Sequence, residues 1–326
     1  MHPWDPYSIF TTRFNFDQAA LDLYSLHYKE NPVYRQFCDL IGRTPQHVKS
    51  VDDIPFLPIQ FFKNRRIGLG HFDPQIQFSS SGTTGMVTSQ HSVKDLGLYE
   101  QSFRKGFSQF YGPITDYCVL ALLPAYLERQ GSSLIYMAQD MIIQSGHPQS
   151  GFYLNDLEKL TETLKTLETQ GQKTLLLGVS FALLDLAEQF PQKLAHTIVM
   201  ETGGMKGRRK EMIREELHAV LKQGLGVDQI HSEYGMTELL SQAYSTGNSL
   251  FTTPPWMRVT ARSTDDPLGH LATGKSGGLN IIDLANSHSC PFIATQDLGK
   301  VYPDGSFEVL GRFDHADVRG CNLMVL

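Results

Sequence analysis

Cysteine is scarce in this chain. There are four in 326 residues, Cys38, Cys118, Cys290 and Cys321, and no two form a Cys-x-x-Cys pair. That spacing excludes a disulfide framework or a zinc ribbon as the organising device and fits a reducing, cytoplasmic compartment. Long apolar runs are also missing. The longest, around Leu120 to Leu123 and Leu175 to Leu177, are too short to span a bilayer. The opening Met1-His2-Pro3-Trp4-Asp5-Pro6 has neither the basic nor the apolar region of a signal peptide. Positive charge is not in excess: the net charge of −6 argues against nucleic acid as the main partner, because phosphate backbones require a basic face. No internal repeat or low-complexity tract stands out.

What remains is the composition of a soluble globular protein, 41% hydrophobic and 19% charged, long enough to bury a large core. Residues 13–31 are expected to form a helix capped by Asp17 and stopped at Asn31-Pro32. Residues 50–63, with three prolines, read as an extended segment packed across a core. A helix is expected over 95–110, with Leu98, Ser102 and Phe103 on one side. Beyond it strands and helices alternate: strand 117–123, helix 132–143, a helix capped by Asn155 with Glu158 in a capping box, strand 173–179, a helix opened by Ser180, strand 197–200, and a helix over 206–223 burying Ile213, Leu217, Val220 and Leu221. Such alternation predicts an α/β layer architecture with parallel strands. After about residue 245 the helical pattern stops. Short strand-like runs at 279–284, 292–295 and 306–310 then predict a small β subdomain on an α/β body of residues 1–245, within one catalytic domain.

The stretch the chain is organised around is Phe78-Ser79-Ser80-Ser81-Gly82-Thr83-Thr84-Gly85. A short strand over 74–78 leads into it. Glycines let backbone N–H groups approach a ligand closely, and hydroxyls rotate to suit an acceptor. A loop of small donors of this kind suits a chain of phosphates. The plain alternative is an ordinary Ser/Thr/Gly surface loop.

Three further stretches decide between them: Met200-Glu201-Thr202-Gly203-Gly204, Ser232-Glu233-Tyr234-Gly235-Met236-Thr237-Glu238, and Gly311-Arg312-Phe313-Asp314. With the hydroxyl loop, they resemble the core motifs of the adenylate-forming superfamily, which includes acyl-CoA synthetases, peptide-synthetase adenylation domains and luciferases. The loop is similar to that family's SSGTTG phosphate loop, Tyr234 to Glu238 to its YGxTE motif, and Gly311 to Asp314 to its GRxD hinge. Thr295-Gln296-Asp297-Leu298-Gly299 resembles its TGD segment, with Gln in place of Gly. The branch it resembles most is that of the acyl-protein synthetases, or long-chain-fatty-acid–luciferin-component ligases. That likeness includes Ile54-Pro55-Phe56-Leu57-Pro58, Gly203-Gly204-Met205-Lys206 and Val318-Arg319-Gly320-Cys321.

The resemblance implies the fold of the family's N-terminal domain, with parallel and mixed sheets, flanking helices and the small β subdomain. It implies ATP and Mg²⁺ as cofactors and a fatty acid as substrate. An acyl-adenylate forms with loss of pyrophosphate, and the acyl group passes to a protein thiol. Carried over residue by residue, Ser79, Ser80, Ser81, Gly82, Thr83, Thr84 and Gly85 hold phosphates, Thr84 and Thr237 assist the chemistry, and Glu238 holds Mg²⁺. Tyr234, Gly235, Gly203 and Gly204 receive the base, Asp297 accepts from the ribose, and Arg312 donates to ribose or phosphate. Cys321 is the candidate acyl acceptor, with Arg319 or His315 nearby to favour a thiolate.

The sequence departs from the family at two points. Thr88 stands where the family has a lysine after the loop, with His91, Lys206, Arg208 and Arg209 as possible substitutes. The chain also stops a dozen residues after Asp314, so the mobile C-terminal domain with its catalytic lysine is not expected. These departures keep open a nucleotide-binding module without turnover.

Two other motifs compete. Gly269-His270-Leu271-Ala272-Thr273-Gly274-Lys275-Ser276 spells a Walker A loop but lacks the strand before it and the helix after it. Gly178-Val179-Ser180-Phe181-Ala182 has the strand-to-helix setting of a nucleophile elbow, which would make Ser180 the nucleophile of an acyltransferase or hydrolase. The other readings of Ser180 are a helix cap and part of an acyl-pocket wall.

Overall fold

A computed structural model of the chain describes residues 4–12, 14–80, 88–124, 131–154, 156–203 and 212–312. In chain order the helices and strands begin with α1 (Phe16–Glu30), α2 (Pro32–Leu40), β1 (Leu57–Pro58), a single turn α3 (Phe61–Asn64), β2 (Ile76–Ser79), β3 (Gln90–Val93), α4 (Leu96–Tyr111) and β4 (Cys118–Leu122). There follow α5 (Ser133–Ser145), β5 (Gly151–Phe152), α6 (Leu157–Gln170), β6 (Thr174–Val179), α7 (Ser180–Gln189), β7 (Thr197–Thr202), α8 (Arg214–Leu225), β8 (His231–Tyr234) and β9 (Ala243–Ser245). The last four strands are β10 (Met257–Arg262), β11 (Ser276–Asp283), β12 (Phe292–Val301) and β13 (Phe307–Arg312). The chain divides into two compact units, residues 73–254 and residues 1–72 with 255–326.

The 73–254 unit is built on a six-stranded sheet ordered β5-β4-β6-β7-β8-β9, parallel except for β9. Every residue of β4 (CVLAL) and β6 (TLLLGV) is buried, as expected for central parallel strands covered on both faces. The connecting helices bury one stripe each: α6 turns Leu160, Leu164 and Leu167 inward and ends at Gly171 in the left-handed conformation. Helices α7 and α8 lie unusually close, since a Cβ on Gly224 would stand 2.5 Å from the Ala187 carbonyl oxygen, so only glycine fits there. Strands β2 and β3 form a separate antiparallel pair in the same unit.

The other unit holds a sheet ordered β1-β12-β11-β10, with β13 paired to β12. β1 runs parallel to β12, and the remaining pairs are antiparallel. Tyr34 of α2 and Phe56 pack on Phe292 of β12, with ring centroids 5.8 and 6.5 Å away, and the Tyr34 hydroxyl donates to the Pro55 carbonyl at 2.7 Å. The proline-rich 50–63 segment is therefore partly regular, with a 3-10 turn (Val51–Asp53), β1 and α3.

Several expected boundaries move. Asn15, not Asp17, caps α1, accepting from the Gln18 N–H at 3.1 Å. Asp156 caps α6 through the Lys159 N–H at 2.9 Å, while Asn155 lies outside the described residues. The helix expected over 206–223 is described from Arg214. Ile213, expected to be buried, sits 63% exposed at its N-cap, where a side chain points away from the helix face that packs. β10 had no counterpart in the sequence reading. The Walker-like stretch is a turn leading directly into β11, with no helix after it, so the phosphate-loop reading of it falls away.

Candidate active site

Ligands of open α/β sheets bind beyond the carboxyl ends of the strands. Here two of the singled-out stretches leave those ends side by side: Thr202-Gly203 from β7 and Tyr234 to Glu238 from β8, with Thr202 paired to Glu233. Gly203 adopts φ +71°, a conformation that L side chains rarely take. Gly235 leaves room for the Glu233 carboxyl, whose Oε1 a Cβ there would displace. Tyr234 is buried, its ring 5.8 Å from that of Phe251, over which the Arg214 guanidinium stacks at 4.9 Å. The Leu239 N–H donates to the Met236 carbonyl at 3.1 Å, closing a turn that leaves Glu238 5% exposed.

The hydroxyl loop belongs to the same unit. It leaves β2 at Ser79 and returns into β3. Its neck is closed by the Ser80 N–H on the Ser89 carbonyl at 3.0 Å and the Ser89 N–H on Ser80 Oγ at 2.9 Å, while the Ser79 N–H donates to Gly131 at 2.8 Å. Ser81, Gly82, Thr83, Thr84 and Gly85 lie outside the described residues, as do Gly204, Lys206, Arg208, Arg209, His315, Arg319 and Cys321. Beyond the neck, His91 Nδ1 stands 2.8 Å from the Thr237 carbonyl oxygen. The strand that closes the loop is thus hydrogen-bonded to the segment that carries Glu238. Among the described residues no group of three or more His, Cys, Asp or Glu side chains could hold a metal. The single carboxylate of Glu238 matches an ion such as Mg²⁺ that takes most of its ligands from phosphate and water.

Behind the ends of β7 and β8 lies a buried polar cluster that the sequence did not announce. Glu201 of β7 faces Arg214 (Nε to Oε1, 3.4 Å) and His218 (Nε2 to Oε1, 3.8 Å). Burial opposes its charge, but the His218 ring, the Arg214 guanidinium and the Ser232 hydroxyl outweigh burial and hold the carboxyl below its usual range. Glu233 accepts a hydrogen bond from the Thr202 hydroxyl. Burial nevertheless pushes it up to about 7, against that bond and with help from the Glu201 charge.

Ser180 is 2% exposed, and its Oγ lies 3.1 Å from Glu201 Oε2 and 2.5 Å from the Gly203 carbonyl oxygen. Its proton goes to a carboxylate or a carbonyl, and His218 stands on the far oxygen of Glu201. A nucleophile elbow presents its hydroxyl at an exposed turn, whereas Ser180 is buried with its hydroxyl on the Gly203 carbonyl, which counts against the acyltransferase or hydrolase reading. The helix-cap reading is corrected, because the side chain makes no capping bond to α7.

Asp297 and Arg312 lie in the other unit, opposite each other on β12 and β13, with Nε 3.3 Å from Oδ1. Asp297 is 6% exposed, whereas the Arg312 side chain is 79% exposed. Arg262, which carried no role in the sequence reading, is buried against the same strand and donates to the Leu279 and Thr295 carbonyls at 2.8 and 2.5 Å. Burial lowers its guanidinium to about 10, with the Asp297 charge opposing.

The three described cysteines are poor thiolates. Burial pushes Cys38 and Cys290 up to about 12 and Cys118 up to about 11.

Residues 11–107 match the family model of the acyl-protein synthetase LuxE. A long-chain-fatty-acid–luciferin-component ligase of Vibrio harveyi is 25% identical, over 92% of this chain and 84% of its own length. Among solved structures, ATP-bound MatB from Rhodopseudomonas palustris superposes with a TM-score of 0.55 at 15% identity, covering 75% of this chain and 49% of MatB. An open 2-hydroxyisobutyryl-CoA ligase bound to its acyl-adenylate and CoA gives 0.58 at 11% identity, with coverage of 91% and 74%. The fold is that of adenylate-forming ligases, and the chain spans about half the length of MatB.

Proposed function

We propose that this chain, a relative of the acyl-protein synthetases built on the fold of the adenylate-forming ligases, activates a fatty acid with ATP and passes the acyl group to a protein thiol. The observation that carries the reading is the His91 to Thr237 hydrogen bond, which joins β3, the strand that follows the hydroxyl loop, to the turn bearing Glu238.

In the first step a carboxylate oxygen attacks the α-phosphorus, the bond to the β-phosphate oxygen breaks, and pyrophosphate leaves. The donors of residues 79–85 hold the phosphates while charge moves between them, a preorganised electrostatic role. Glu238 would hold Mg²⁺, which when bound would neutralise part of the triphosphate charge. Tyr234 offers a flat face to adenine, and the Gly203-Gly204 backbone lets the base approach. In the second step a thiolate attacks the acyl carbonyl and AMP leaves. With Cys38, Cys118 and Cys290 buried and protonated, Cys321 is the acceptor this chain offers, whether it keeps the acyl group or passes it to a partner protein.

The test is pyrophosphate release across a panel of fatty acids. Glu238→Gln abolishes release while the protein stays folded by circular dichroism. Cys321→Ala keeps release but loses self-acylation. ATP binding by calorimetry with no release from any acid would instead favour a nucleotide-binding module without turnover.

A further inference from the structure

Glu201 is 4% exposed and sits one residue before the end of β7, inside the 73–254 unit. Its two carboxylate oxygens face in two directions. Oε2 lies 3.1 Å from the hydroxyl of Ser180, the first residue of α7. The same hydroxyl stands 2.5 Å from the Gly203 carbonyl oxygen. A hydroxyl has one proton, and both neighbours are acceptors. That proton therefore holds the Gly203 carbonyl beside the carboxylate, where two bare oxygens would repel. Gly203 bends the chain out of β7 at φ +71°. A peptide group is planar, so holding its oxygen fixes the direction in which the backbone leaves the strand.

Oε1 faces α8, with Arg214 Nε at 3.4 Å and His218 Nε2 at 3.8 Å. The Arg214 guanidinium stacks on the Phe251 ring at 4.9 Å, and Phe251 lies 5.8 Å from the Tyr234 ring. Strand register brings these contacts together. Glu201 pairs with Ser232, and side chains alternate along a strand, so Glu201, Ser232 and Tyr234 point to one face of the sheet.

We infer that Glu201 is a positioning residue that sets two walls of the base-binding site at once, the Gly203 backbone through Ser180 and the Tyr234 ring through Arg214 and Phe251. The inference rests on the proposed function for naming a nucleotide base as the ligand. Its effect is preorganisation: walls fixed in the free protein do not have to be ordered when the base binds. A ligand with phosphates and no base gains nothing from it. A neutral amide at position 201 offers one acceptor oxygen and cannot serve both the Ser180 hydroxyl and the Arg214 guanidinium.

The experiment compares full-length wild type with Ser180→Thr, Ser180→Val, Ser180→Ala, Arg214→Met and Glu201→Gln. Threonine and valine share one branched shape, so that pair isolates the hydroxyl. Two probes are added with Mg²⁺: ATP, and inorganic tripolyphosphate, which has neither base nor ribose. The rise in melting temperature is read with each, together with the KM values for pyrophosphate release. Loss of one donor to a buried acceptor is worth on the order of tenfold in an equilibrium. Ser180→Val, Ser180→Ala, Arg214→Met and Glu201→Gln are expected to weaken ATP about tenfold or more, as a smaller melting shift and a higher KM for ATP. Their shift with tripolyphosphate and their KM for the fatty acid stay at wild-type values. Ser180→Thr keeps most of the ATP shift. General structural damage would lower both shifts together, and that result overturns the inference. So do equal ATP shifts in the Thr and Val variants, or a wild type that responds alike to ATP and tripolyphosphate. If the Thr and Val variants do not fold, Ser180→Ala and Arg214→Met decide by the same contrast. If wild type distinguishes ATP from tripolyphosphate yet releases no pyrophosphate with any fatty acid, the synthetase reading fails while the melting contrast still decides the role of Glu201.

Discussion

Two carboxyl groups on adjacent strands, Glu201 and Glu233, are pushed in opposite directions by their surroundings. Glu201 keeps its charge because cationic and hydroxyl groups face it. Glu233 is neutral over much of the pH range because burial outweighs the single hydroxyl that serves it. A carboxyl whose folded-state value lies above its unfolded one stabilises the fold at low pH. That contribution is complete below about 4.5 and is lost as the pH rises through about 7. The loss amounts to about 3 kcal/mol at most. Glu233→Gln, which can still accept from Thr202, should flatten the fall in melting temperature between about pH 4.5 and about 7. These side chains were present in the sequence as a polar flank to the Tyr234 motif. What the sequence could not supply is the register that sets Thr202 opposite Glu233 and brings Ser180 onto Glu201, since each pairing joins residues more than 20 positions apart.

At the scale of elements, the junction of α1 and α2 is held by side chains that serve both helices. Asn31 ends α1 and caps α2, accepting from the Tyr34 N–H at 3.1 Å. Its amide donates to the Ser289 carbonyl at 2.9 Å and lies 3.3 Å from His27 Nδ1. His27 Nε2 donates to the Ser287 carbonyl at 2.9 Å, so both ring nitrogens are used by the neutral form. Burial lowers this imidazole to about 3, with the Ser287 bond opposing. A histidine depressed in the folded state stabilises above its unfolded value of about 6.5. That stability is lost as the pH falls toward 3. Replacing His27 with Gln should lower stability at neutral pH and remove much of the acid limb, as read by urea melts between pH 4 and about 7. The Asn31-Pro32 stop was legible because proline cannot continue a helix. The starts of helices were less so, since several short polar residues near each start compete to cap it, and Asn15 and Asp156 won where Asp17 and Asn155 were expected.

For the whole molecule, alternation of buried strands and helices told the architecture of residues 73–254, because each central strand is a continuous apolar run. Composition carried no sign that residues 1–72 fold with the β-rich end of the chain. That partition depends on contacts such as Leu57 beside Ile293, which no local pattern records. The aromatic cluster of Tyr34, Phe56 and Phe292 tests it. Phe292→Ala should cost about 3–5 kcal/mol in denaturant melts. It should also speed hydrogen exchange in α1 and α2, although the substitution lies in β12. Of the candidate site, the Thr202-Gly203 and Tyr234 to Glu238 stretches singled out in the sequence lie side by side at the ends of β7 and β8. The bond of His91 to the Thr237 carbonyl and the burial of Arg262 behind β12 were not legible, since both depend on neighbours far along the chain.

The seclusion of three thiols has a practical corollary. An alkylating reagent applied to the native protein near neutrality meets Cys38, Cys118 and Cys290 as protonated sulfurs without solvent contact. Fast stoichiometric modification would therefore report on position 321. A fluorophore attached there would give a direct optical handle on the residue proposed to carry the acyl chain.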